Sequence, residues 1–206
     1  MRTREALGFT HLFGKRQGPR TLLLLHGTGG DEEDLLPLGE FLDPEAHILS
    51  PRGNVREGGM ARFFRRLRPG VFDEEDIRAR AAELAGFVGG ASEEYDLDRD
   101  SVWAVGFSNG ANIAASLLLL RPEILAGAVL LRPMLPLEPE AQPELSGVPV
   151  YVAAGTMDEM IPRESTKALV ERLESAGAEV TVSWAEAGHR FAREELEAAK
   201  EWLGRL

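Results

Sequence analysis

The chain has 206 residues, a formal net charge of −11 and an apolar content of 44 %. Such a length suits one domain with a sizeable core. The surplus of acid repels nucleic acid and anionic membrane surfaces, and the absence of cysteine excludes disulfides, Cys-ligated zinc and a thiol nucleophile together. No apolar stretch approaches the roughly 20 residues that span a bilayer. Met1 to Leu7 is charged and lacks the apolar run of a signal peptide. The expectation is a cytoplasmic protein without stable membrane insertion; a homodimer is compatible with everything in the sequence.

In chain order, Phe9 to Phe13 alternates weakly and reads as a first strand at a sheet edge. Thr21 to Leu25 is continuously apolar, as expected of a parallel strand buried on both faces. It runs into the glycine-rich loop His26-Gly27-Thr28-Gly29-Gly30, after which Asp31 opens a short helix. Ala46 to Ser50 reads as a strand closed by Pro51, and residues 52–72 as a long irregular connection of the kind that carries function. Within it the basic run Arg62 to Arg68 is expected to pair with Asp73, Glu74, Glu75 and Asp76 rather than with nucleic acid. A helix starts at Asp73 as N-cap, with Ile77, Ala81, Leu84 and Val88 at helical spacing, and weakens at Gly89-Gly90.

Val102 to Gly110 organises the remainder. An apolar strand stops at Gly106-Phe107-Ser108-Asn109-Gly110, a G-x-S-x-G match, and an Ala/Leu helix begins beyond it. A strand-to-helix turn this sharp holds the serine at a strained backbone angle with its hydroxyl above the sheet, and the two glycines carry no Cβ to collide across the turn. The competing reading is a serine that merely caps a buried helix. Two further buried strands follow, 126–131 and 148–154, separated by a Pro/Glu-rich loop; then come a helix from Pro162 to about Ala176, an alternating strand 180–184 and a closing amphipathic helix 190–206, with Phe191, Leu196 and Leu203 as core contacts. Strands alternating with helices predict an α/β fold, a mostly parallel sheet of about seven strands with helices on both faces.

In such sheets reactive groups gather at the carboxyl ends of the strands. Ser108, Asp158 and His189 each follow a predicted strand, in the order Ser, Asp, His. A serine hydroxyl needs a base to remove its proton; His189 is the candidate base, and a carboxylate behind the ring would fix its tautomer. Asp158 is favoured over Glu159 and Glu186 for that carboxylate, although it could instead cap the helix that starts at Pro162. The charge that develops on a carbonyl oxygen needs N–H donors: Asn109 N–H comes with the turn at a helix start, and Thr28 N–H with the glycine loop.

Leu25 to Leu35, Pro51 to Val55 with Gly58 to Phe64, Gly106 to Gly110, Gly155 to Pro162 and Gly188-His189 together resemble the bacterial serine carboxylesterases of the phospholipase/carboxylesterase group within the α/β-hydrolases. That resemblance spans roughly residues 20 to 190. It implies an α/β-hydrolase fold without a large cap domain, and ester hydrolysis through an acyl-enzyme on a small-molecule ester, with neither cofactor nor metal. A thioesterase or lysophospholipase would use the same residues, and a non-catalytic ligand-binding module on this fold is the alternative from a different class. Arg132 stands where relatives often have a small residue, which leaves substrate shape open. Met60, Phe63, Phe64, Phe72, Met134 and Leu135 are the candidates for lining the acyl pocket, each with core packing as the alternative. His26 is expected to make a structural hydrogen bond, and His11 and His47 to be ordinary partly buried residues.

Overall fold

The computed structural model describes residues 1, 3–68 and 70–206. An antiparallel hairpin opens the chain, β1 (Thr3–Ala6) and β2 (Phe9–Gly14), followed by β3 (Thr21–Leu25), helix α1 (Leu36–Leu42) and β4 (His47–Pro51). Two small hairpins come next, β5 (Val55–Glu57) with β6 (Met60–Arg62) and β7 (Arg66–Arg68) with β8 (Val71–Phe72). The long helix α2 (Glu74–Tyr95) leads to β9 (Val102–Phe107), α3 (Asn109–Leu120), β10 (Gly127–Leu131), β11 (Pro149–Gly155), α4 (Arg163–Ser175), β12 (Glu179–Ala185) and α5 (Arg193–Leu203).

Among the described residues, the central sheet has eight strands in the order β1-β2-β4-β3-β9-β10-β11-β12. It is parallel from β4 through β12, with β1 and β2 antiparallel at one side. The continuous apolar runs divide between two cores by the period-two alternation of a strand. From β3, Leu23 and Leu25 join a core with α2, α3 and α4, while Leu22 and Leu24 join a second core with α1 and α5. All four leucines are fully buried, each contributing about 1.5–3 kcal/mol. Chain order reverses direction between β3 and β9, and ligand crevices of open α/β sheets form at the carboxyl side of such a reversal.

Several expectations need correction. Phe9 to Phe13 is not the edge strand, because Thr3–Ala6 pairs outside it. Asp31 does not open a helix: its Oδ1 accepts the Glu33 N–H in a local turn, and α1 waits until Leu36, with Pro37 in its first turn. The 52–72 connection folds into the two hairpins instead of remaining irregular. Of the basic run, Arg65 pairs with Asp73 and Asp76, but Arg62 and Arg66 both turn to Glu57. Helix α2 starts as expected, with Asp73 accepting from the Asp76 N–H, yet it runs straight through Gly89-Gly90 to Tyr95. Gly90 serves a close approach there, since a Cβ would meet Leu7 Cδ2 at 3.0 Å. Among the described residues, no helix is long and apolar enough to cross a membrane.

Candidate active site

Ser108 sits between β9 and α3 with φ 51° and ψ −110°, a backbone state few non-glycine residues occupy. The two glycines that flank it are required by close contacts. A Cβ on Gly106 would lie 2.5 Å from the Gly110 carbonyl oxygen, and one on Gly110 would overlap the Leu25 carbonyl of β3. Small residues therefore draw the start of α3 against the sheet, and Ala111, Ala114 and Ala115 are completely buried along the same face.

The loops after β11 and β12 are joined to each other. Thr156 N–H donates to the Ala185 carbonyl at 2.8 Å and Met157 N–H to the Ala187 carbonyl at 3.1 Å, while a Cβ on Gly155 would collide with the Ala187 carbonyl. That seam sets Asp158 beside His189. Asp158 Oδ2 lies 2.9 Å from His189 Nδ1, and His189 Nε2 lies 3.0 Å from Ser108 Oγ. A carboxylate can only accept, so Nδ1 carries the ring proton and Nε2 faces the hydroxyl as an acceptor. The other Asp158 oxygen, Oδ1, accepts the N–H groups of Met160 and Ile161 at 2.8 and 3.1 Å. The capping role and the role toward the imidazole thus belong to different oxygens of one fully buried side chain. Glu159 and Glu186 are both exposed. Beneath the imidazole, the Phe107 ring lies 5.3 Å away, centroid to centroid.

On the other side, the glycine loop is tied down at both ends. His26 Nε2 accepts the Gly53 N–H at 2.9 Å, so the proton is on Nδ1, which donates to the Gly27 carbonyl at 2.7 Å. Burial pushes the His26 ring below its ordinary value, overriding the Gly27 carbonyl and the Asp34 and Asp31 carboxylates, which act the other way. Gly29 N–H donates to the Ala61 carbonyl at 2.9 Å, and Arg62 Nη1 to Thr28 Oγ1 at 2.5 Å. Neither the Thr28 nor the Asn109 backbone N–H meets an acceptor among the described residues. Thr28, Ser108 and Asn109 open on one cavity of about 390 Å³.

Of the six apolar residues expected around an acyl pocket, Phe72 and Met134 line this cavity. Phe63 and Phe64 are buried in the core against α2, with Phe64 stacked edge-on against Phe72. Leu135 packs on the same core, and Met60 is exposed beside Gly29. Arg62, the last residue of β6, reaches the cavity, whereas the two phenylalanines that follow it both turn into the core. Met160 and Ile161, on the segment after β11, complete the apolar wall. His11 is wholly buried rather than partly so, with Nε2 2.7 Å from the Tyr95 hydroxyl.

The sequence signature of the phospholipase/carboxylesterase family matches residues 13–206. This chain belongs to that family. It is accordingly a carboxylic ester hydrolase of the α/β-hydrolase superfamily, and its relatives agree. The putative hydrolase MhqD of Bacillus subtilis is 47 % identical over 192 residues, covering 93 % of this chain and 96 % of its own length. A carboxylesterase from Bacillus cereus superposes with a TM-score of 0.94 at 48 % identity, over 96 % of this esterase and 94 % of that chain. A carboxylesterase from Mesorhizobium loti gives 0.93 at 33 % identity, over 98 % of each chain.

Sequence reasoning did not reach the group behind the Asp158–His189 pair. Arg132, with φ 57° and its side chain fully buried, lies 4.0 Å from Asp158 Oδ2 and donates to the carbonyls of Gly188 (2.9 Å) and Arg190 (3.0 Å) on the histidine loop. Glu195 of α5 closes the arrangement from the far side. Arg132 points away from the cavity, so it supports the site and does not shape the pocket. An arginine inside an otherwise apolar strand end was the available signal; its partner, 63 residues on, was not. Among the described residues, no group of three or more side chains is placed to hold a metal ion.

Proposed function

We propose that this esterase cleaves small to medium acyl esters through an acyl-enzyme on Ser108. His189 Nε2 takes the hydroxyl proton as Ser108 Oγ attacks the ester carbonyl carbon. Asp158 holds the ring in the required tautomer and stabilises the imidazolium that forms. The N–H groups of Thr28 and Asn109 receive the oxyanion, helped by the positive end of α3. Collapse breaks the acyl C–O bond, and His189 returns its proton to the leaving alkoxide, releasing an alcohol. Water, deprotonated by the same imidazole, then attacks the acyl carbon; Ser108 leaves with the proton and the carboxylic acid departs.

The observation that carries this reading is the unbroken hydrogen-bond run from Ser108 Oγ through His189 to Asp158, opening on a cavity that also holds two backbone N–H groups without acceptors among the described residues. The volume of about 390 Å³ lies at the lower end of small-ligand pockets, which supports short and medium acyl groups. The test is labelling with a fluorophosphonate probe beside turnover of p-nitrophenyl esters of increasing chain length and one acyl thioester. The wild type should label and turn over esters, fastest at short to medium length, while Ser108→Ala should do neither. Labelling that survives Ser108→Ala would overturn the assignment.

A further inference from the structure

One wall of the cavity carries a charge that the hydrolytic steps do not use. The Arg62 side chain is only 4 % exposed yet lines the cavity beside Ser108. Its Nε donates to the Phe64 carbonyl at 3.1 Å and its Nη1 to Thr28 Oγ1. No acceptor among the described residues meets Nη2. The carboxylate beside it, Glu57, stands 3.4 Å from Nε and is shared with Arg66, which holds it more closely at 2.6 Å. One carboxylate between two guanidiniums leaves the pair net positive, and both arginines line the cavity. Burial pushes the Arg62 guanidinium below its ordinary value; Glu57 opposes this and Arg66 adds to it. That is the behaviour of a buried cation short of counter-charge.

The neighbouring amides point to the same ligand chemistry. Asn109 Oδ1 accepts the Phe63 N–H at 2.8 Å and Asn112 Oδ1 accepts the Met134 N–H at 2.9 Å. Each amide oxygen is therefore engaged by the backbone, and the NH2 group is the end left over. Asn109 Nδ2 is buried without a partner among the described residues, a costly state for a polar group unless a ligand supplies the acceptor. This wall of the cavity thus presents donors. The carboxylate that lines the cavity is Glu159, exposed to solvent on the separate segment after β11.

We propose that the preferred substrates are esters that carry a second, free carboxylate, received by Arg62 with Asn109 beside it. A dicarboxylic half-ester is the simplest member of the class. The carboxylate supplies the acceptors the wall lacks and the charge Arg62 lacks, and charge-assisted hydrogen bonds are about twice as strong as neutral ones. It takes no part in bond making: water still adds across the acyl C–O bond, giving a dicarboxylate and an alcohol when the charge is in the acyl half. The overall charge of −11 gives no general attraction for anions, so selection would come from this wall alone. The inference rests on the serine-hydrolase reading given above.

The experiment compares matched esters on the wild type. Monoethyl glutarate is set against the ethyl ester of glutaric monoamide, and 4-acetoxybutanoate against 4-acetoxybutanamide, with p-nitrophenyl acetate as the common control. The expected result is a kcat/KM preference of about tenfold or more for the anionic member of one pair, expressed in KM, the lower end of what a hydrogen bond to a charged group contributes. Which pair shows it tells whether the charge belongs to the acyl or the alcohol half. Arg62→Met should abolish the preference, Arg62→Lys should retain part of it, and Arg66→Met should weaken it, which covers the case in which Arg62→Met does not fold. Equal kcat/KM within both pairs, or a preference for the amides, overturns the proposal. So does an Arg62→Met enzyme in which anionic and neutral esters fall alike, because Arg62 would then only anchor Thr28. Failure of the underlying reading looks different: p-nitrophenyl acetate would not be hydrolysed by the wild type at all.

Discussion

Arg132 and Glu195 meet in two parallel hydrogen bonds of 2.7 and 2.8 Å inside the fold, with both side chains almost completely buried. Their pairing links the end of β10 to the start of α5, and through the Gly188 and Arg190 carbonyls it grips the loop that carries His189. Glu195 also accepts the Ala192 N–H at 2.7 Å, so the same carboxylate caps α5. Removing one member of a buried pair leaves the other charge uncompensated, at a cost of about 3–5 kcal/mol. Arg132→Met should therefore lower the unfolding free energy by about that much in urea titration. The folded fraction should also lose kcat more than it gains KM, because the histidine loop has lost its anchor. A loss below about 1 kcal/mol would place the pair among interactions of little net worth.

Ser108 combines function with strain, and the two separate by substitution. Ser108→Ala should abolish ester turnover, by up to about 10⁶-fold in kcat, with circular dichroism unchanged. Retention of a tenth of the activity would remove Ser108 from the nucleophile role. Ser108→Gly should be equally inactive yet more stable than Ser108→Ala, by about 1 kcal/mol, because glycine adopts φ 51° without penalty. Thermal unfolding of the two variants side by side measures this.

Asp158 presents different oxygens to the helix turn and to the imidazole, which makes the asparagine substitution informative. Asp158→Asn can keep the Met160 and Ile161 hydrogen bonds through its amide oxygen, while its NH2 group facing Nδ1 favours the wrong tautomer. The expected loss is about 10³–10⁴-fold in kcat with the fold intact, by analogy with the trypsin-like example from which that magnitude is known. Glu159→Gln and Glu186→Gln, at exposed positions, should each cost less than about tenfold. Steady-state kinetics on one p-nitrophenyl ester distinguishes these outcomes, and a crippled Glu186→Gln beside an active Asp158→Asn would reverse the assignment.

His26 should make stability pH-dependent on the acid side. Its native value lies below the ordinary 6.5 because burial disfavours the charged ring, so the unfolded chain takes up the proton first as pH falls. The stabilisation from the neutral ring is complete above the unfolded value and is lost as pH drops below it toward the native one. Protonation at Nε2 would also break the hydrogen bond from the Gly53 N–H. Urea unfolding between about pH 7.5 and 5 should show the wild type losing stability more steeply than His26→Asn. Parallel slopes for the two proteins would contradict this.

The strand–turn–helix around Ser108 was legible because its constraint is local: Gly106 and Gly110 are required by atoms within a few residues and by the adjacent strand. The order of Ser108, Asp158 and His189 was legible because parallel strands deliver their carboxyl ends to one side of a sheet. The apolar runs likewise announced buried strands, since a strand covered on both faces has no polar side to show. Phe63 and Phe64 were not placed correctly, because an aromatic beside a functional loop looks the same in sequence whether it faces core or cavity; the packing of this segment into the core with α2 decides which. The glycines of α2 looked like a helix end because their low helical propensity is a local signal, and the packing of Leu7 that tolerates Gly90 is not. In physical terms, residue type and spacing determined the backbone framework and the three candidate catalytic side chains. Tertiary structure alone decided the partners of Arg132 and the bond from Arg62 to Thr28: a buried guanidinium takes whatever acceptors the fold brings within about 3 Å, and Gly188, Arg190, Glu195 and Thr28 all come from segments far away in the chain.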